Sequence, residues 1–379
     1  MKNNVEYLAF SRSEYIERVA KARDQMKQQG IDGLLVVTPE NLNYLIGYDI
    51  HPGYMASSLL VTQDSVRIVA FENETTVGLT GETTADETLT HPVDTDPMDV
   101  IAQAIAKSGG TWTVEDNYLP AASYRKLTER LGGAIKFLPS PHIVEQARVV
   151  KSEAEIEYIR RAAEATSQAA IAAIDAARRE GATDHDVAIA IYAAMLGGGA
   201  TIASFGFTAI KAGPSAPNSH VTYIGRPIEG PLWMEFAASV RRYQAPIGRL
   251  AGKGEPDEES RRAWSVSREA VDVMIERARP GIPASEVDAA AEATFKRHGF
   301  SLRNESAYSV GLGAGGMWSE THLLHISPDN HEPLQPGMVF HLVPVIWTED
   351  ATCLNSETIL ITKDGVEVLT KVPSELFEL

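Results

Sequence analysis

Apolar and polar positions along this chain switch between two periods, and each switch marks an element. Over residues 13–29 the apolar positions recur at helical spacing and predict an amphipathic helix, whereas IDGLLVVT at 31–38 is a short unbroken apolar run and predicts a buried strand. Further short apolar runs, SSLLVT, SVRIVAF and TWTVED, alternate with helical patterns over 97–107 and 121–131. Strands that read as continuous apolar runs are covered on both faces. This part of the chain is therefore predicted to be an α/β domain with a mostly buried sheet.

A long helix is predicted from VVKSEAEIEYIRRAAEATSQAAIAAIDAARREG, with Ser152 as N-cap and Glu155 three residues on, the spacing of a capping box. The chain is expected to divide there, into domains 1–148 and 149–379. In the second part GATDHDV at 181–187 and GIPASEV at 281–287 lie one hundred positions apart, each between a longer and a shorter helical pattern. Two helix–helix units, each followed by apolar strand runs, predict a duplicated α+β domain with a curved antiparallel sheet under four helices.

Composition narrows the function classes. With 379 residues, 44% of them apolar, the chain has material for two separate cores. No apolar stretch approaches the roughly 20 residues that span a bilayer, and the N-terminal MKNNVEYLAFSRSEY lacks a signal-peptide core, which together predict a cytoplasmic protein. A formal charge of −17, with basic residues in runs no longer than pairs, opposes nucleic acid and anionic membrane as partners. The single cysteine, Cys353, excludes an intrachain disulfide framework and a thiolate metal cage.

Candidate chemistry starts from one acid. Glu235 lies inside the apolar run LWMEFAA, where an unpaired carboxylate is costly, so it is either functional or paired with an arginine such as Arg242 or Arg249. His322, His325 and His331 sit near one another in sequence, but without a carboxylate at suitable spacing they are a weak metal signal.

Six blocks then occur in a telling order: ARVVKSEAEIEYIRRAA, the isolated His220, the stretch 235–249, YSVGLG at 308–313, LQPGMVFHLVPVIW at 334–347 and SETILITKDGVEVLT at 356–370. This succession resembles the signatures of the pita-bread superfamily of methionine aminopeptidase, prolidase and creatinase, and the first 150 residues resemble its creatinase-type N-terminal domain. The resemblance implies an α/β creatinase-like domain over 1–148 and an α+β pita-bread catalytic domain over 149–379. It also assigns five positions to metal ligands in the peptidase members. Here Glu235 and Pro246 stand in place of two aspartates, Tyr308 in place of a histidine, and Val343 and Glu357 in place of two glutamates. A dimetal centre needs a bridging carboxylate and several further ligands, so neither metal nor other cofactor is expected.

With Trp318 and Glu320 included, the local wording is similar to the metal-free branch of that superfamily, creatinase and above all ectoine hydrolase. The resemblance implies hydrolysis of a non-peptide C–N bond in a small zwitterionic amidine or guanidine carboxylate. Its expected catalytic residues are His220, Glu235 and Glu357. The two carboxylates would pair with the amidinium and orient a water, each raising the other's proton affinity, and His220 would protonate the departing nitrogen. Expected substrate contacts are Tyr308 as hydrogen-bond donor, His341 on the face of Val343, Trp318, and Arg242 with Tyr243 beside it. A homodimer is expected, with the loop GYDIHPGY at 47–54, and thus His51 and Tyr54, completing the partner's site. Two alternatives stay open: a metal-dependent Xaa-Pro peptidase or lyase using His322, His325 and His341, and a catalytically silent binding module.

Overall fold

The computed structural model describes residues 8–49, 57–72, 83–201, 208–212, 223–254, 257–302, 305–314, 317–320, 323–347, 352–374 and 377–379. The chain divides into two compact units, Met1–Arg148 and Val149–Leu379.

The first unit runs α1 (Arg12–Gln28), β1 (Gly33–Val36), α2 (Pro39–Ile46), β2 (Ser58–Thr62), β3 (Val66–Phe71), β4 (Glu87–His91), α3 (Pro97–Ser108), β5 (Thr111–Val114), α4 (Ala121–Leu131), β6 (Lys136–Leu138) and α5 (Ile143–Val149). Its six strands form one mixed sheet in the order β4-β3-β2-β1-β5-β6. Strands β1, β5 and β6 run parallel, as expected where helices return the chain, and β1, β2 and β3 are joined antiparallel. The central strands are buried almost throughout, and Leu35, Leu60, Val69, Ile105, Trp112 and Leu127 form the core against α3 and α4. Strand β1 is shorter than the apolar run that encodes it because its last amides go elsewhere. Val37 and Thr38 donate their backbone N–H groups to the buried Glu115 carboxylate, at 2.6 and 2.7 Å.

The second unit runs α6 (Glu153–Ala177), α7 (Asp184–Gly197), β7 (Thr208–Ala212), β8 (Pro231–Val240), β9 (Tyr243–Gly252), α8 (Glu258–Arg277), α9 (Ala284–Arg297), β10 (Ala307–Ser309), β11 (His325–Ile326), β12 (Val339–Leu342), β13 (Val345–Trp347), β14 (Thr352–Leu354), β15 (Glu357–Ile361), β16 (Val366–Val368) and β17 (Phe377–Glu378). Helix α6 opens on the Ser152–Glu155 capping box. The strands form sheets ordered β17-β9-β8-β7 and β11-β10-β12-β15-β16, with β13 and β14 as a separate pair. All their pairings are antiparallel except β17 on β9. Each helix pair has its own core: Ala169, Ala173, Ile191, Leu232, Phe236 and Ile247 under α6 and α7, and Ala270, Val271, Phe295, Phe340 and Ile359 under α8 and α9.

The hundred-residue repeat is visible in the hydrogen bonds. Asp184 N–H donates to Arg226 O and Ile228 N–H to Ala182 O, while Ala284 N–H donates to Glu332 O and Leu334 N–H to Ile282 O. The glycine before each set, Gly181 and Gly281, takes a left-handed conformation at φ 70° and 84°. The long hairpin of β8 and β9 turns through Arg241 and Arg242, both at positive φ, the conformation of a two-residue type I′ loop. Among the described residues no helix is long and apolar enough to cross a membrane.

Candidate active site

Register fixes what the site contains. Glu235 pairs with Gly248 across the hairpin, and the residue is 5% exposed in an apolar strand. On the neighbouring sheet Tyr308 pairs with His341, and His341 with Thr358, so these side chains share one face. Ser356, two residues before Thr358, continues that face. Gly248 lets the two sheets meet there, since a Cβ on it would lie 2.5 Å from Leu354 Cδ2 and 2.9 Å from Ser356 Oγ.

These side chains form a connected chain of hydrogen bonds. Trp318 Nε1 donates to Tyr308 Oη at 2.8 Å, Tyr308 Oη lies 2.8 Å from His341 Nδ1, and His341 Nε2 lies 2.6 Å from Ser356 Oγ. Ser356 Oγ also accepts the backbone N–H of Gly248. The Tyr308 and His341 rings meet edge to face, 5.3 Å apart. Burial, and then the charge of Arg249, brings His341 down to about 3, so the imidazole is neutral. The Tyr308 phenol is raised well above its usual range by burial and then by Glu235.

Glu235 stands beside this chain without joining it. Its Oε1 is 4.0 Å from His341 Nδ1, which is no ion pair while the imidazole is neutral, and among the described residues its carboxyl makes no hydrogen bond. Burial alone pushes its carboxyl up to about 8. The upward shift expected of two adjacent carboxylates is present, but its cause is desolvation and not Glu357.

Glu357 is placed differently from its expected role. It pairs with Leu342, one step out of phase with His341, and its oxygens are already engaged. Arg249 Nη2 donates to Oε1 at 2.6 Å and Thr370 donates its hydroxyl to Oε2. Arg249 is held in turn by the carbonyls of Gly248, Ser356, Val372 and Pro373. Burial raises Glu357 while the guanidinium pulls it back. A carboxylate so bound anchors Arg249 and is not an open partner for an incoming amidinium.

Arg242 and Tyr243 are not brought to this cluster. Arg242 occupies the hairpin turn beyond Val240, which is itself five residues along β8 from Glu235, or about 16 Å at strand spacing. Tyr243 lies on the opposite face from Glu235 and donates its hydroxyl to Glu155 at 2.9 Å, tying β9 to the start of α6. Trp318 is in the cluster through Tyr308. His51, Tyr54, His220 and His322 lie outside the described residues. His325 flanks Tyr308 from β11 on the side away from His341 and lies 3.8 Å from Glu305, and His331 bonds Ser285.

Sequence reading missed Ser356, Gly248 and Thr370, and it missed the choice of Glu357 by Arg249. The available signal for Ser356 was its two-residue offset from Thr358. A second overlooked feature supports the Trp318 loop: Lys151 Nζ donates to Glu320 Oε2 at 2.8 Å and to Ser309 Oγ at 3.2 Å, both charges fully buried.

The donor set does not fit a two-metal centre. Pro246 and Val343 carry no ligating side-chain atom, the Tyr308 hydroxyl is engaged by Trp318 and His341, and both Glu357 oxygens are engaged by protein donors. Among the described residues no group of three His, Cys, Asp or Glu side chains converges to hold an ion.

Comparison with known proteins supplies the family. The signature of metallopeptidase family M24 matches residues 157–364, and that of the Creatinase/Prolidase N-terminal domain matches residues 18–150. The chain is 29% identical over 390 residues to the hydrolase/peptidase y4tM of Sinorhizobium fredii, covering 97% of this chain and 98% of that protein. It is 29% identical over 398 residues to the ectoine hydrolase of Halomonas elongata, covering 98% of each. Prolidase from Thermococcus sibiricus superposes with a TM-score of 0.86 over 96% of this chain and 99% of that one, at 21% identity, a likeness of fold. With a family signature spanning more than half its length, the protein belongs to metallopeptidase family M24, a family of hydrolases, and carries the creatinase/prolidase N-terminal domain ahead of its pita-bread domain.

Proposed function

We propose that the protein hydrolyses a non-peptide C–N bond in a small zwitterionic amidine or guanidine carboxylate, ectoine or a relative of it, without a metal ion. The observation that carries this reading is Glu235, a buried carboxyl group that makes no hydrogen bond among the described residues. It stands where the superfamily's metal-binding aspartate would be, beside ligand positions that hold proline and valine. Such a group is costly unless it stays protonated or receives a cation. A cyclic amidinium supplies that charge. The relation to an ectoine hydrolase along the whole chain supports the same substrate class.

In this reading the amidinium N–H groups pair with Glu235. Water adds to the central sp2 carbon, a C–O bond forms, one C–N bond breaks, and a water proton passes to the departing nitrogen. His220, which the resemblance makes the proton carrier, serves that last transfer. Glu357 acts through Arg249 and does not touch the substrate. A homodimer in which loop 47–54 of one chain completes the partner's site, and a cytoplasmic location, belong to the same proposal. The competing reading is a metal-dependent Xaa-Pro peptidase, which the hydrolase/peptidase relatives leave in play and the donor set disfavours.

A thermal-shift screen of ectoine, hydroxyectoine, creatine and Xaa-Pro dipeptides, followed by product analysis of the ligands that stabilise, separates the two. Stabilisation grows as RT ln(1 + [L]/Kd). Stabilisation and ring opening by an amidine are expected; stabilisation and cleavage only of proline dipeptides, dependent on added metal, would replace this reading with the peptidase.

A further inference from the structure

The hydrogen-bond chain at the site has a direction, and counting its protons gives it. Ser356 is fully buried, and its hydroxyl has one lone-pair position filled by the N–H of Gly248. Among the described residues the only acceptor within reach of its proton is His341 Nε2, at 2.6 Å. If Nε2 carried the imidazole proton it would donate to the second lone pair of Oγ, and the Ser356 proton would be left with no acceptor, which a fully buried hydroxyl rarely tolerates. Ser356 therefore donates to Nε2. The neutral imidazole then carries its proton on Nδ1 and donates it to Tyr308 Oη, at 2.8 Å. Tyr308 Oη already accepts from Trp318 Nε1, so both of its acceptor positions are filled from within the fold.

One proton is left over, that of the Tyr308 hydroxyl, and Tyr308, unlike Ser356, is only partly buried, so its proton can be met from outside the fold. Neither Trp318 Nε1–H nor His341 Nδ1–H can take it. Two carboxylates act on the phenol, Glu235 and then Glu305, and the one at the site is Glu235, whose Oε1 is 4.0 Å from Nδ1. We propose that Ser356 and His341 set the direction of this chain so that Tyr308 presents its hydroxyl proton to the substrate, as a donor specific for an acceptor oxygen. Ser356, His341 and Trp318 are positioning residues, and Tyr308 is the group that touches the ligand.

The choice of acceptor follows from the proposed function, on which this part of the inference rests. An amidinium has no free lone pair, so a donor beside Glu235 has nothing to bond on the cationic end. It serves the carboxylate of the same small molecule. Glu235 and Tyr308 together make a two-ended test: an acceptor for the N–H groups and a donor for an oxygen. A zwitterion meets both, whereas a bare amidine meets only the first.

Two measurements on the full-length protein test the proposal. Nitrogen-15 NMR of the histidine side chains reads the tautomer without reference to activity, with His341→Gln used to assign the signals. The His341 resonances are expected to show a pyrrole-like Nδ1 and a pyridine-like Nε2; a protonated Nε2, or an imidazolium, would overturn the inference. Calorimetric titration then compares ectoine with the same ring lacking its carboxylate. Tyr308→Phe is expected to weaken ectoine roughly tenfold or more, the scale of one hydrogen bond to a charged group, and to leave the decarboxylated ring within about twofold. Equal weakening of both would overturn the donor role. Should neither amidine bind the wild-type protein, the functional reading fails, and the tautomer alone decides whether the hydroxyl is free to donate.

Discussion

A carboxyl group in an apolar strand must either keep its proton or find a cation, and Glu235 has no cation in reach among the described residues. Its folded pKa, about 8, is raised from 4.5, so the protonated form is favoured by folding. The stability this contributes is complete below about pH 4.5 and is lost as pH rises through about 8. Gln at this position mimics the neutral acid at every pH. Glu235→Gln is therefore expected to unfold like wild type at pH 5 and to be more stable by on the order of 5 kcal/mol at pH 9, measured by denaturant titration. A gap that is constant with pH would show that the carboxyl is paired in solution. Arg249 is the opposite case, a buried charge that is fully satisfied. Replacing it with Met leaves Glu357 uncompensated and is expected to cost roughly 3–5 kcal/mol, read from the shift in urea midpoint. The sequence made Glu235 conspicuous because an acid interrupts an apolar run. It did not reveal that Arg249 serves Glu357, because that depends on how β9 meets β15, more than a hundred residues away.

Elements were read best where one period ran long. The expected helices over 13–29, 97–107 and 121–131 match Arg12–Gln28, Pro97–Ser108 and Ala121–Leu131 to within a residue, since helical periodicity and capping are local signals. Strand β1 was read too long because the Val37 and Thr38 amides leave the ladder for Glu115, a contact nearly eighty residues distant. Faces within the hairpin were harder still. Arg242 was expected in the site, yet it lies in the turn, and only the pairing of Val240 with Tyr243 reveals that. The meeting of the hairpin with β15 depends on Gly248. Gly248→Ala is expected to destabilise the fold by about 1–3 kcal/mol and to displace Ser356, seen as a changed His341 nitrogen spectrum alongside the lower urea midpoint. An unchanged spectrum would mean that the sheets meet more loosely than described.

At the scale of the whole molecule, two helix–helix–strand halves supply different parts of one site. The first half brings Glu235 and Gly248 on its hairpin, and the second brings Tyr308, His341 and Ser356 on its sheet. Fold class was legible because six motif blocks occur in order along the chain, each weak alone. Substrate identity was not, because which side chains meet the substrate depends on strand register, as the place of Arg242 in the hairpin turn shows. In the proposed function a cationic amidine, and not a pair of metal ions, completes this site. The most direct test is turnover of ectoine and related amidines by chelator-treated protein whose metal content is measured in the same sample. Ring-opened product is expected at an undiminished rate with far less than one metal ion per chain. Turnover that vanishes on chelation and returns with added manganese, iron or zinc would contradict the proposal.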